Sequence, residues 1–318
     1  MINKKAEFNF ALLFAIILGA AILILAIYGV MKISNTQRYT TDSEIAKKIT
    51  IITDPLQAGF SEGKFGKITF NQETKINNIC FDGGIGRQDI SVSTKSGVGD
   101  EWQNPGAATS IYNKYIFSDE QENGKEFYVF SKPFYLPYKI TDLIFLTSKN
   151  YCFIEPPTEI EDEIISLAIT NVQVSTKGSV NCSSDALKVC FGGVGDCDIK
   201  IYGSCVNDCE TAFDQGYVEK DGDKLEFIGN LMYAAVFSDK YVYDCNIKRL
   251  MYRTGKITEV LAGKADLMNS RGCNTNLWPD LVLYSSLASS ASQADLVDLN
   301  NVAKDLDRKN NLELCRVW

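Results

Sequence analysis

Histidine is absent from the 318 residues, and that one absence removes Ser-His-Asp and Cys-His catalysis, the usual His-bearing zinc sites and Cys-x-x-Cys-His haem attachment. Acid–base work is left to carboxylates, Lys, Tyr or Ser, which form no catalytic constellation in the sequence. Charge is missing from one long stretch. From Phe8 to Met31 the chain reads FNFALLFAIILGAAILILAIYGVM, broken only by Asn9 and the small residues Gly19 and Gly29. At about 1.5 Å per residue this run spans roughly 36 Å, enough to cross a ~30 Å hydrocarbon core with some tilt. A cleavable secretory signal would carry a shorter apolar region and end in an A-x-A-like site; Lys32-Ile33-Ser34-Asn35 offers none. The reading is an uncleaved anchor at residues 8–31 behind a short cytoplasmic N-terminus, residues 1–7.

Flanking charge does not orient this anchor, because Lys4 and Lys5 precede it while Lys32, Arg38, Lys47 and Lys48 follow. Large domains translocate largely regardless of such charges. The cysteines decide instead. Cys80, Cys152, Cys182, Cys190, Cys197, Cys205, Cys209, Cys245, Cys273 and Cys315 are an even set, all beyond the anchor, as disulfides in an oxidising compartment would be. Zinc is the competing use, since five of them crowd between Cys182 and Cys209. Structural zinc sites pair two C-x2-4-C knuckles, and only Cys205-Val-Asn-Asp-Cys209 approaches that spacing. All ten are therefore candidate disulfide cysteines, with the pairing open and no metal or cofactor expected. The body is placed outside the cell.

Beyond Ile33 there are 29 basic and 39 acidic residues. A body of net charge near −10 with many aromatics is a folded ectodomain, and nucleic acid is not its partner. The expected class is α+β: a transmembrane helix, a disulfide-rich mainly-β body, and a helical C-terminal subdomain. Asp42-Ser43-Glu44 can cap a short separate helix reaching about Thr53. Short aromatic or β-branched runs then predict strands at 67–70, 90–93, 111–117, 127–130, 143–146 and 168–174. Pro156-Pro157 punctuates the chain, and Thr158 with Glu161 makes a capping box for a short helix. This divides the body into a first mainly-β module, 32–157, a cysteine-rich second β module, 158–228, and the helical part, 229–318. Glu159, Glu161, Asp162 and Glu163 lack the alternating oxygen ligands of a calcium loop and read as a solvated helix start.

Two glycine-rich stretches align: Cys80-Phe81-Asp82-Gly83-Gly84-Ile85-Gly86-Arg87-Gln88-Asp89-Ile90 and Cys190-Phe191-Gly192-Gly193-Val194-Gly195-Asp196-Cys197-Asp198-Ile199. No Lys-Ser or Lys-Thr follows either, so both read as strand, glycine turn, strand rather than as phosphate loops, and duplication of a module is an open alternative to chance. Asp221-Gly222 between alternating runs predicts the last β-hairpin. Thereafter Tyr243, Ile247, Leu250, Ile257, Leu261, Ala265 and Met268 recur at helical steps up to Gly272. A second helix is expected near Pro279, and a third carries Leu296, Leu299, Val302, Ala303 and Leu306. Cys245, Cys273 and Cys315 would staple these helices to each other or to the β part.

Lys4-Lys5-Ala6-Glu7-Phe8-Asn9-Phe10, followed by the apolar run, resembles the class III signal peptide of archaeal type IV pilin-like proteins. The resemblance covers residues 4–31. It implies a processing site between Ala6 and Glu7 and a filament-core role for the helix, although Ala11 stands where that family carries a glutamate. The body resembles archaeal cell-surface ectodomains, which implies no activity. The expected function is a single-pass, disulfide-stabilised structural or interaction protein of the cell surface, contacting the lipid bilayer through residues 8–31 and protein partners or further copies through its body. A pilin-like subunit of a type IV filament or its assembly apparatus is the alternative, and an extracytoplasmic carboxylate-dependent hydrolase the third class. No catalytic, cofactor-binding or metal-binding residue is assigned.

Overall fold

The computed structural model describes residues 10–53, 66–95, 101–175, 182–193, 195–204 and 213–318. It is a mixed α+β fold with a long N-terminal helix, two sheets and a helical C-terminal region. Helix α1 (Phe10–Ile52) runs without a break for 43 residues, about 65 Å at the α-helical rise. The separate short helix expected after Asp42 is thus the second half of α1. Nothing between Met31 and Asp42 stops the helix, since the intervening polar stretch contains neither Pro nor Gly.

Strands β1 (Gly66–Phe81), β2 (Arg87–Thr94), β3 (Thr109–Ile111), β4 (Ile116–Phe117), β5 (Gln121–Tyr135) and β6 (Lys139–Thr147) form the first sheet, in the order β3-β2-β1-β5-β6-β4. The 111–117 run is not one strand: β3 and β4 lie at opposite edges of this sheet. The second sheet has the order β12-β11-β10-β9-β7-β8, built from β7 (Tyr151–Ile154), β8 (Val172–Ser175), β9 (Leu187–Phe191), β10 (Ile199–Ser204), β11 (Gln215–Lys220) and β12 (Asp223–Ile228). β7 pairs in parallel with both β8 and β9. A parallel neighbour requires a crossover, and helix α2 (Thr158–Leu167) supplies it between β7 and β8. Pro156-Pro157 therefore marks the entry to a β-α-β unit, and the boundary drawn after residue 157 falls inside the second sheet. The expected capping box is also absent: Pro157 is the N-cap and α2 begins at Thr158. Ala168, the left-handed C-cap, ends α2 before β8 opens at Val172.

The two glycine turns lead to different topologies. The first closes an antiparallel hairpin with Phe81 opposite Arg87, whereas the second delivers β10 parallel to β9, with Lys200 beside Cys190. Their likeness is one of turn chemistry, not of a repeated unit. The Asp221-Gly222 hairpin forms as expected, with Lys220 opposite Asp223 and both turn residues at positive φ (54° and 82°), the conformation a tight hairpin turn needs.

Helices α3 (Leu231–Phe237), α4 (Lys240–Ser270), α5 (Trp278–Ser290) and α6 (Leu296–Leu312) complete the chain. All seven residues of α3 are buried. Its Phe237 ring lies 5.2 Å from Phe130 of the first sheet and 4.6 Å from Tyr151 of the second. One aromatic core therefore joins both sheets to α3, α4, α5 and α6, so the helical region shares its core with the β part. A second, mainly aliphatic core, which also holds Phe127, lies between α1 and the first sheet.

Candidate functional site

The feature that the fold presents most openly is α1. From Leu13 its first half is apolar and exposed, with Ile16, Ile17, Ile22, Leu23, Ile24, Leu25 and Val30 each more than half accessible. The helix is long and apolar enough to cross a membrane, with a mean hydropathy of 2.8 over its best window and none of that window buried. Its second half is different. Asp42, Ala46, Ile49 and Thr53 are buried, and their four-three-four spacing puts them on one helical face. Ala46 and Ile49 pack on Ile90 and Val92 of β2 and Ile111 of β3. At the N-terminal end of this seat Thr94 Oγ1 donates to Asp42 Oδ2 at 3.3 Å, and the Ala107 amide donates to Ser43 Oγ at 2.8 Å. Burial raises the Asp42 pKa, opposed by the Thr94 hydrogen bonds and by Arg38. Gly106 is required there, since a Cβ would sit 2.7 Å from the Ser43 nitrogen. At the far end the Lys114 ammonium donates to Thr50 O at 2.7 Å and Thr53 Oγ1 at 3.1 Å, a cation at a helix C-terminus where the macrodipole favours it.

Behind this seat lies a buried polar network built on Arg249 of α4, whose side chain is fully enclosed. Its guanidinium donates to Ile85 O (3.1 Å), Gln88 Oε1 (3.0 Å), Asn246 Oδ1 (2.7 Å) and Lys114 O (3.0 Å), and it lies 4.9 Å from the Tyr115 ring centre. Ile116 O accepts from Asn78, Gln88 and Asn246. Burial pulls the Arg249 pKa down to about 10, still far enough above neutrality to keep the charge. The Cys80–Cys245 disulfide closes the same seam between β1 and α4, joining residues 165 positions apart in the chain. Gly86 completes it, for any Cβ would meet Phe81 O at 2.1 Å.

The sequence assigned no role to Arg249, Gln88, Asn78 or Asn246. A signal existed only in their type: polar residues at positions whose neighbours in the pattern, Ile76, Ile90, Ile247 and Leu250, are core. Apart from Arg249 with Asn246, three residues away, and Gln88 with Asn78, ten away, the bonds that assemble the network join residues 28 to 164 positions apart, which no local pattern connects.

Two further clusters engage the acidic residues. Glu122 is buried and accepts from Ser148 N (2.9 Å) and Ser148 Oγ (2.6 Å); burial and the neighbouring Asp119 raise its pKa. Asp119 pairs with Lys149 and, at 3.5 Å, with Lys220, which also donates to Val236 O and Ser238 O. Elsewhere Lys132 is buried against Glu163 and lies over the Tyr233 ring, while Tyr233 donates to Glu163. Burial pulls Lys132 down to about 8, and the Glu163 carboxylate supplies the opposing charge. In both clusters the carboxylates are occupied by protein donors that tie strands and helices together. Of the α2 acids, Glu163 thus serves an inter-element ion pair.

The candidate cysteines resolve into Cys80–Cys245, Cys152–Cys182, Cys190–Cys197 and Cys273–Cys315. Cys245 is stapled to the β part, and Cys273, beyond α4, to the C-terminal tail. No described cysteine is free, and among the described residues no group of three or more Cys, Asp or Glu could hold a metal ion. Cys205, Cys209, Ala6 and Glu7 lie outside the described residues.

No protein-family model matches the chain, and no curated protein or solved structure does either. Four disulfides and an apolar helix of spanning length are together consistent with a membrane-anchored protein whose body lies in an oxidising compartment.

Proposed function

We propose that the chain is a single-pass, membrane-anchored protein of the cell surface, with a structural or interaction role and with α1 as a rigid stalk. The observation that carries this reading is the continuity of α1 from an exposed apolar half into a docked half. Between Met31 and Asp42 the helix rises about 16 Å, while a headgroup layer is roughly 5–7 Å thick on each side of the hydrocarbon. The body therefore stands clear of the lipid surface instead of lying on it. A non-catalytic role is supported by the buried acids and lysines described above, which are held by one another and by backbone groups. In intact cells the protein should stay with membranes through an alkaline wash, and added protease should digest the body. A body protected until the cells are lysed overturns the proposed topology.

A pilin-like subunit of a type IV filament is the second reading. It is favoured by the same unbroken helix, which joins the exposed apolar segment directly to the body. Edman sequencing of the native protein distinguishes the two: Glu7 as the first residue supports the filament reading, and a start at Met1 or Ile2 refutes it.

A further inference from the structure

The buried lysines of the body are not held alike. Lys114 donates to Thr50 O and Thr53 Oγ1, and Lys220 to Val236 O, Ser238 O and the Asp119 carboxylate. The Lys132 ammonium on β5, also buried, meets a single acceptor among the described residues, the Glu163 carboxylate of α2. The face of the Tyr233 ring on α3 covers it, with the ring centre 4.9 Å from the nitrogen. An ammonium has three N–H donors, so this one is under-supplied with oxygens. Tyr233 is itself buried, and its hydroxyl donates to the second oxygen of the same carboxylate, Glu163 Oε2. An amine, a carboxyl group and a phenol therefore converge where the first sheet, the crossover helix of the second sheet and α3 meet.

We propose that Lys132 and Glu163 condense to an amide, a covalent cross-link between β5 and α2. The neutral amine attacks Glu163 Cδ, the Cδ–Nζ bond forms and the Cδ–Oε1 bond breaks. Oε1 leaves as water, carrying one proton from the amine and the proton of the carboxylic acid. Counted from the ion pair, one ammonium and one carboxylate become one secondary amide and one water, so no oxidant, cofactor or co-substrate is required. Four features of the site favour the step. Burial pulls the Lys132 pKa down to about 8, which leaves roughly a tenth of the amine neutral at pH 7. Holding the two groups in contact supplies an effective molarity on the order of 10⁵–10⁸ M. The Tyr233 hydroxyl is aimed at Oε2, where negative charge develops as nitrogen adds to the carbon. The product removes two charges whose burial is costly, and the retained Oε2 keeps its donor. Glu163 is 36 % accessible, so the released water has a way out. The cross-link is independent of the anchoring role proposed for α1, and unlike the disulfides it survives reduction.

The test is the mass of the full chain, purified in detergent, reduced, alkylated and then digested with trypsin. The expected result is a folded chain lighter by one water, about 18 Da, and a branched peptide joining residues 126–139 to residues 150–177 through Lys132 and Glu163. Lys132→Met should restore the sequence mass and the linear peptides. Tyr233→Phe should lower the fraction linked shortly after a pulse of synthesis at least five-fold. Linear peptides for both segments in the folded, unsubstituted chain overturn the proposal, as does a water loss that persists in Lys132→Met or maps to other residues. A linked fraction unchanged in Tyr233→Phe overturns the part given to the hydroxyl. The decisive measurement uses the unsubstituted chain, so it does not depend on any variant folding, and circular dichroism checks the fold of each variant.

Discussion

Helices α1 and α4 both dock on the first sheet, and they do so in opposite ways. The seat of α4 is covalent and polar: a disulfide, a buried guanidinium with four acceptors, and aromatic packing around Tyr243 and Phe237. The seat of α1 is small, with four buried side chains on one face, a few hydrogen bonds and a mainly aliphatic core. A long helix held in a membrane, as proposed for α1, needs only enough contact to set its angle. A helix that completes the core must be fixed in register, and a buried charge does this because displacement by one residue strands it without acceptors.

The comparison is tested most severely by Cys80→Ser with Cys245→Ser. Opening a loop of this length should lower the unfolding free energy by about 5 kcal/mol if chain entropy dominates, read by denaturant melts of the whole body. A loss under about 1 kcal/mol would mean that the polar network alone fixes α4. Next, Arg249→Leu leaves Gln88, Asn246 and two backbone carbonyls without their donor, and should cost about 4 kcal/mol. Ala46→Glu puts a charge into the α1 seat and should cost about 2–3 kcal/mol locally. Its signature is protease cleavage near residues 32–41 while the Arg249 seam keeps its hydrogen-exchange protection. Cooperative loss of both seats would erase the distinction between them.

The smallest expected effect concerns Glu122. Its pKa is raised in the folded state, so the stability it contributes is present below the unfolded value of about 4 and is lost as pH rises through the folded value. Glu122→Gln lacks this slope. Its melting temperature, relative to the unsubstituted chain, should therefore climb between pH 4 and 7, and a difference independent of pH would contradict the assignment. Asp42, raised by burial as well, keeps its own slope in both proteins.

Legibility followed the range of the interactions. Asp221-Gly222, the helical recurrence from Tyr243 to Met268 and the apolar run at the N-terminus are local signals, each set by a period or a turn preference within one element. The break expected at Asp42 was wrong because capping residues permit a helix start without enforcing one; in α1 Asp42 and Ser43 instead bond across to Thr94 and Ala107. Similar glycine turns produced one antiparallel and one parallel partner, since strand direction is chosen by what the next strand can pair with.

By itself, then, the sequence determined that an apolar helix of spanning length leads an acidic, cysteine-rich α+β body, because hydrophobicity, period and composition are properties of the chain alone. Only the tertiary structure decided which cysteines join, that Arg249 is the hub behind the α1 seat, and that Lys132 meets Glu163 and Tyr233. Those outcomes depend on residues far apart in sequence meeting in one place.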